Sequence, residues 1–154
     1  MNSYKLLVTV GGSDTDDLIP KILRALLRIP LLLDIQVLDV ITDQMATIMR
    51  DSDLSVNAGG FTLYELAATG TPSVVLCRTP HQFRTAKHFE HLGTCQCLGL
   101  ADHVTEAQIT TAVTTLLRAP ARLLAMRLAG PKIVDGKGLE RVVDILMPST
   151  RRTS

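Results

Sequence analysis

A chain of 154 residues, 46% apolar and 20% charged, is long enough to bury one core and too apolar to stay disordered. Its net charge of +1 is scattered without a basic stripe, and no Trp, two Tyr and three Phe give no platform for stacking bases. Both features count against nucleic acid as a partner. Leu, Val, Ile and Ala are left to fill the core, which suits strands buried on both faces under helices. No apolar run reaches membrane-spanning length, and the N-terminus reads as a strand rather than a signal peptide. Cys77, Cys95 and Cys97 are an odd number of thiols without secretory context, so a reduced, cytoplasmic protein is expected.

Tyr4 to Val10 is an apolar, β-prone run that stops at Gly11-Gly12-Ser13. Asp14 to Asp17 supply caps and N-terminal acids for a helix over Leu18 to Arg28, with Pro30 beyond its end. Asp34 to Val40 reads as a second strand, and Asp43 caps a helix to Arg50. Leu54 to Val56 forms a third strand, leading through Asn57-Ala58-Gly59-Gly60 into a helix over Thr62 to Thr69 closed by Gly70 and Pro72. Ser73 to Cys77 is the fourth strand, Arg84 to Leu92 a helix ended by Gly93, and Cys95 to Leu98 a short fifth strand. Thr105 and Gln108 make a capping box for a helix to Leu117, Pro120 opens another, and Leu139 to Leu146 makes the last.

Strands alternating with helices predict one α/β domain over residues 1–147, with a polar tail over 148–154. Its core is a Rossmann-like parallel sheet of about five strands, flanked by helices and joined by right-handed crossovers. Ligands of such sheets bind beyond the carboxyl ends of the strands. Two Gly-rich turns lie there, Gly11-Gly12-Ser13 and Ala58-Gly59-Gly60-Phe61-Thr62, each leading from a strand into a helix. Glycine admits a ligand close to the backbone, and exposed N–H groups favour an anion. Glu65 has two readings: the second half of a Thr62-x-x-Glu65 capping box, or a carboxylate accepting hydrogen bonds from ribose hydroxyls. Each hydrogen bond to a charged acceptor contributes about 1.5–3 kcal/mol, so the second reading bears on affinity.

Other chemistry is thin. His81, His88 and His91 fall near one side of a helix, but His81 is expected to precede that helix and no carboxylate completes a ligand set, which favours solvated side chains. Cys95-x-Cys97 lacks the spacing of a zinc knuckle or redox motif. The nucleophile elbow, the dinucleotide glycine motif and the Walker A pattern are all missing.

The segment from Ser52 through Asn57-Ala58-Gly59-Gly60-Phe61-Thr62 and Glu65 to Ser73 resembles the signature of GT-B C-terminal domains, the UDP-holding halves of sugar-nucleotide enzymes. Val8 to Asp14 and Val134 to Arg141 are similar to the UDP-sugar hydrolase of pseudaminic acid biosynthesis and related spore-coat polysaccharide proteins. The lipid II-forming N-acetylglucosaminyltransferase is a more distant likeness. The resemblance implies a cytoplasmic UDP-sugar-binding domain in nonulosonic acid or surface-polysaccharide synthesis, with hydrolase ahead of glycosyltransferase, and with a non-catalytic binding module as the rival. It implies that Glu65 holds the ribose and that Gly59, Gly60, Phe61 and Thr62 line the diphosphate. Val40 and Ile41 meet the uracil edge with Met45 nearby, Gln82 faces the diphosphate or sugar, and Ser13 lies across the cleft mouth.

No metal, separate cofactor or catalytic residue is implied for this chain, because the family's catalytic histidine belongs to an N-terminal half. The family also has an additional strand and helix where this chain runs from Leu27 to Val40, so the chain reads as about one βα unit short. A half-enzyme exposes an apolar cleft wall, so a separate N-terminal half or self-association is the expected protein partner.

Overall fold

The computed structural model describes residues 2–11, 17–38, 42–135, 137 and 145–146. In chain order the elements are β1 (Tyr4–Thr9), α1 (Leu18–Leu26), β2 (Leu33–Leu38), α2 (Met45–Asp51), β3 (Leu54–Asn57), α3 (Thr62–Ala68), β4 (Ser73–Cys77), α4 (Pro80–His91), β5 (Cys95–Leu100), a 3-10 turn (Ala101–His103), α5 (Glu106–Leu117) and α6 (Pro120–Ile133). The five strands form one parallel sheet in the order β2-β1-β3-β4-β5. The expected Rossmann-like sheet flanked by helices is what the chain forms.

Alternation along the strands divides the core between two faces. Leu6, Val8, Leu54, Val56, Val74 and Leu76 pack with Ile22 and Leu26 of α1 and with Ile109, Val113 and Leu116 of α5. On the opposite face Val75 and Cys77 meet Leu63 and Ala67 of α3 and Ala86 and Phe89 of α4, while Leu7 meets Met49 of α2 and Leu66 of α3. Strands buried on both sides explain the unbroken apolar runs read in the sequence.

Several boundaries differ from expectation. Asp17 is the N-cap of α1 but stands in the left-handed region (φ 51°) and its side chain caps nothing; residues 14–16 lie outside the described residues. Asp43 does not cap α2. The chain first makes a turn in which Met45 N donates to Thr42 O (3.1 Å), so the N-cap falls on Gln44, without a side-chain bond. α4 begins at Pro80, four residues before the expected Arg84, because Thr79 caps it and Pro80 fits the first helical position, where its missing N–H is no loss. His81 is therefore inside the helix. β5 runs past Leu98 because Gly99 (φ 119°) absorbs a bulge where the β4–β5 register shifts. Thr105 and Gln108 form the expected capping box. Of the last predicted helix only Ile145 and Leu146 are described, and they are helical; the tail over 148–154 lies outside the described residues.

α6 returns across α3. A Cβ built on Gly130 would lie 2.3 Å from the carbonyl oxygen of Ala67, so the two backbones meet directly. Gly70, which ends α3 at φ 69°, sits against the Arg127 carbonyl for the same reason. This contact sets where α3, and the turn before it, stands.

Candidate functional site

The carboxyl ends of β1, β3 and β4 reach one edge of the sheet, and the turns that leave them are adjacent. A Cβ on Gly11, after β1, would lie 3.8 Å from Thr62 Oγ1, and one on Gly60, after β3, would lie 3.7 Å from Gln82 Nε2 of α4. Gly59 and Gly60 adopt φ of 87° and 74°, backbone that side-chain-bearing residues rarely take.

Asn57, fully buried, holds this turn. Its Oδ1 accepts from Gly59 N (2.9 Å) while its Nδ2 donates to Ser55 Oγ (3.3 Å), an Asx turn that fixes the direction in which β3 gives way to α3. The first helical donor of α3 to find a carbonyl is Leu63 N, on Gly60 O. The N–H groups of Gly60, Phe61 and Thr62 are thus the orphan donors of a helix start.

Gln82 is oriented by its own turn. Its backbone N–H donates to Thr79 Oγ1 (3.1 Å) and its Oε1 accepts from Arg78 N (2.8 Å). With the carbonyl oxygen committed, the amide NH2 is what Gln82 presents toward Gly60. The Arg78 guanidinium donates to the carbonyls of Val10 and Gly11 (3.4 Å each), tying the end of β4 to that of β1 and placing a positive charge at the edge. Orphan N–H groups, an amide NH2 and a guanidinium on one sheet edge form a donor-rich surface suited to an anion.

Glu65 is exposed, and its carboxylate is bonded to no other described residue. Of the two readings of Glu65, the Thr62–Glu65 capping box does not form. Phe61 occupies the N-cap with helical backbone, so Thr62 is already the first helical residue and its hydroxyl faces Gly11 instead. A cavity of about 290 Å³ opens between the start of α3 and α4, walled by Gly60, Phe61, Tyr64, Thr79, His81, Gln82 and Thr85. Tyr64 is steadied there by an edge-on contact with Phe89 (centroids 4.9 Å).

The structure therefore brings together Gly59, Gly60, Phe61, Thr62 and Gln82, with Glu65 one turn further along α3. Met45 starts α2 and packs on the Leu7–Met49–Leu66 cluster. Ser13, Val40 and Ile41 lie outside the described residues. Sequence reasoning gave no role to Asn57, Arg78, Thr79 or Tyr64. Asn two residues before Gly59 at a strand end, and Thr-Pro before a helix, are the signals that point to the first and third. His81, His88 and His91 are all exposed on α4, and among the described residues no three His, Cys, Asp or Glu side chains are grouped as a metal site.

Comparison with known proteins follows the same outline. Over 166 aligned positions the chain is 31% identical to the spore coat polysaccharide biosynthesis protein SpsG of Bacillus subtilis (strain 168), covering 92% of this chain and 49% of that protein. It is 29% identical over 116 positions to the UDP-N-acetylglucosamine–N-acetylmuramyl-(pentapeptide) pyrophosphoryl-undecaprenol N-acetylglucosamine transferase of Synechocystis sp. (strain ATCC 27184 / PCC 6803 / Kazusa), covering 72% of this chain and 32% of that enzyme. The chain thus spans half or less of the length of the curated relatives it matches. The crystal structure of Acinetobacter baumannii MurG superposes with a TM-score of 0.80 at 22% identity, over 96% of this chain and 50% of that one. Residues 2–137, which hold all five strands and every turn of the donor-rich edge, match the model of the glycosyltransferase family 28 C-terminal domain, and the chain belongs to that family.

Proposed function

We propose that this domain grips the UDP part of a UDP-sugar in a GT-B-type enzyme of surface-polysaccharide synthesis. The observation that carries the reading is the convergence of the Asn57-braced Gly59–Gly60 turn with the amide of Gln82 beside an uncommitted Glu65. Gly59, Gly60, Phe61, Thr62 and Gln82 take the diphosphate, and Glu65 accepts the two ribose hydroxyls. By the family resemblance, Ser13 is assigned to the cleft mouth and Val40 and Ile41 to the uracil edge, with Met45 nearby. The name of the Synechocystis relative, a UDP-N-acetylglucosamine transferase, supports UDP as the nucleotide.

Chemically, such a grip acts on the leaving group. Breaking the bond between the anomeric carbon and the diphosphate leaves charge on UDP, and fixed N–H donors stabilise that charge without reorganising. The base that activates the attacking oxygen is assigned to another part of the enzyme. Water as acceptor makes the reaction hydrolysis, and a sugar hydroxyl makes it glycosyl transfer. The likeness of Val8–Asp14 and Val134–Arg141 to the pseudaminic acid hydrolase puts hydrolysis first.

Calorimetric titration of UDP into the purified chain tests the grip. Saturable binding that weakens about tenfold in Glu65→Ala, equivalent to about 1.4 kcal/mol, is the expected result. A folded wild-type chain that takes up no UDP overturns the reading in favour of an interaction module.

A further inference from the structure

Beneath the Gly59 turn lies a pair of thiols that neither nucleotide binding nor the family relationship employs. Cys77 ends β4, and Cys97 stands on the neighbouring β5, next to the bulge at Gly99. Their sulfurs are 3.9 Å apart, with no side chain between them. Closure to a disulfide length of about 2 Å needs the sulfurs to approach by less than 2 Å. Cys77 is buried among side chains but lines a cavity of about 520 Å³ shared with Lys21, Arg78 and His103. Cys97 is partly exposed. The third thiol, Cys95, is turned away, donating to the Ala86 carbonyl (3.5 Å) under α4.

We propose that Cys77 and Cys97 are a peroxide-oxidisable pair that closes a reversible disulfide between β4 and β5 beneath the Gly59 turn.

The two sulfurs have different roles. The hydrogen bond from the Cys77 thiol, helped by the Gly99 backbone and Lys87, holds Cys97 down to about 7 against burial and Glu90. The same hydrogen bond, together with burial and the neighbouring Cys97 and Cys95, pushes Cys77 up. Burial pushes Cys95 up to about 12, which keeps it protonated and unreactive. Cys97 thiolate attacks one oxygen of hydrogen peroxide. The O–O bond breaks, hydroxide leaves and is protonated to water, and Cys97 becomes a sulfenic acid. Cys77 then gives up its proton and attacks the Cys97 sulfur, the S–S bond forms, and the sulfenic oxygen leaves as a second water. Two thiols are oxidised by two electrons in all, and one peroxide is reduced. Dithiol exchange reverses the step.

Because β4 runs on into Arg78, Thr79 and the first turn of α4, and because Cys77 Sγ lies 3.9 Å from where a Cβ on Gly59 would sit, closure draws the sulfur away from the floor of the turn.

The test is a peptide map of the folded chain after brief hydrogen peroxide treatment, with free thiols alkylated under denaturing conditions. A Cys77–Cys97 cross-linked peptide, lost on treatment with dithiothreitol, is the expected product. Cys95 and Cys97 share one tryptic peptide, so the assignment uses Cys95→Ala, which keeps the cross-link, and Cys97→Ala, which abolishes it. In Cys77→Ala the oxidation, slowed by loss of the hydrogen bond that holds Cys97 down, stops at a Cys97 sulfenic acid that dimedone traps. A wild-type chain whose three thiols all remain alkylatable, or whose cross-link uses Cys95 or joins two chains, overturns the proposal.

Discussion

Asn57 is the residue on which the donor-rich edge depends most. Its buried amide satisfies Gly59 N, and no other partner is at hand for that N–H. Asn57→Ala leaves a buried donor unpaired, so urea unfolding is expected to show a loss of about 1–3 kcal/mol. The loosened turn should also bind UDP more weakly. Gly59 and Gly60 were legible in the sequence because only glycine takes such backbone freely. The brace was less so, because what Asn57 bonds depends on where β3 stops, one residue later than its apolar pattern suggests. Glu65 carried two readings of equal standing until Phe61 proved to be the N-cap, which removed the capping box. Gln82 was placed by resemblance alone. The bond that orients it goes to the backbone of Arg78, four residues back, and no spacing rule points there.

At the scale of elements, the contact of α6 with α3 is the least forgiving. Gly130→Ala puts a methyl group into the Ala67 carbonyl, which must shift, and overpacking of this kind costs about 1–3 kcal/mol. Thermal unfolding should show the loss. Since α3 also carries Thr62 and Glu65, the displaced helix should weaken the proposed UDP grip although Gly130 itself touches no part of it. Elements with strong period or clean caps, such as β4 and α5, were legible almost to the residue. α4 was not: Pro80 reads as a breaker when the Thr79 cap is overlooked, and His81-Gln82 gives no apolar rhythm. The bulge in β5 was hidden because Gly99 reads as a stop, although a glycine with positive φ is also how a strand absorbs one extra residue.

For the molecule as a whole, the sequence predicts that strands and helices alternate, and hence a parallel sheet, but not which helix covers which face. One cross-link between distant segments is electrostatic: Glu106 at the start of α5 takes Arg24 Nε (2.6 Å) and Arg28 (3.3 Å) from α1. The Arg24 hydrogen bond holds the Glu106 carboxyl below its ordinary value, with Arg28 and Lys21 assisting and burial opposing. A depressed folded value means that the stabilisation is fully present above the unfolded carboxylate's titration and is lost as pH falls through the folded one. The urea midpoint should therefore fall on acidification through the carboxylate range, and Glu106→Gln should flatten the fall. Equal slopes for the two proteins would remove this pair from the pH response.

The sheet also has an unfinished flank. Among the described strands β2 pairs with β1 alone, so its other side offers backbone donors and acceptors to any extended segment that arrives, with Val37 already 39% exposed beside them. What discourages such a visitor is local and small: the exposed Asp34 and Gln36 that alternate along the strand. Replacing those two polar side chains with β-branched apolar ones would turn the rim of the domain into a seed on which copies could add strand to strand.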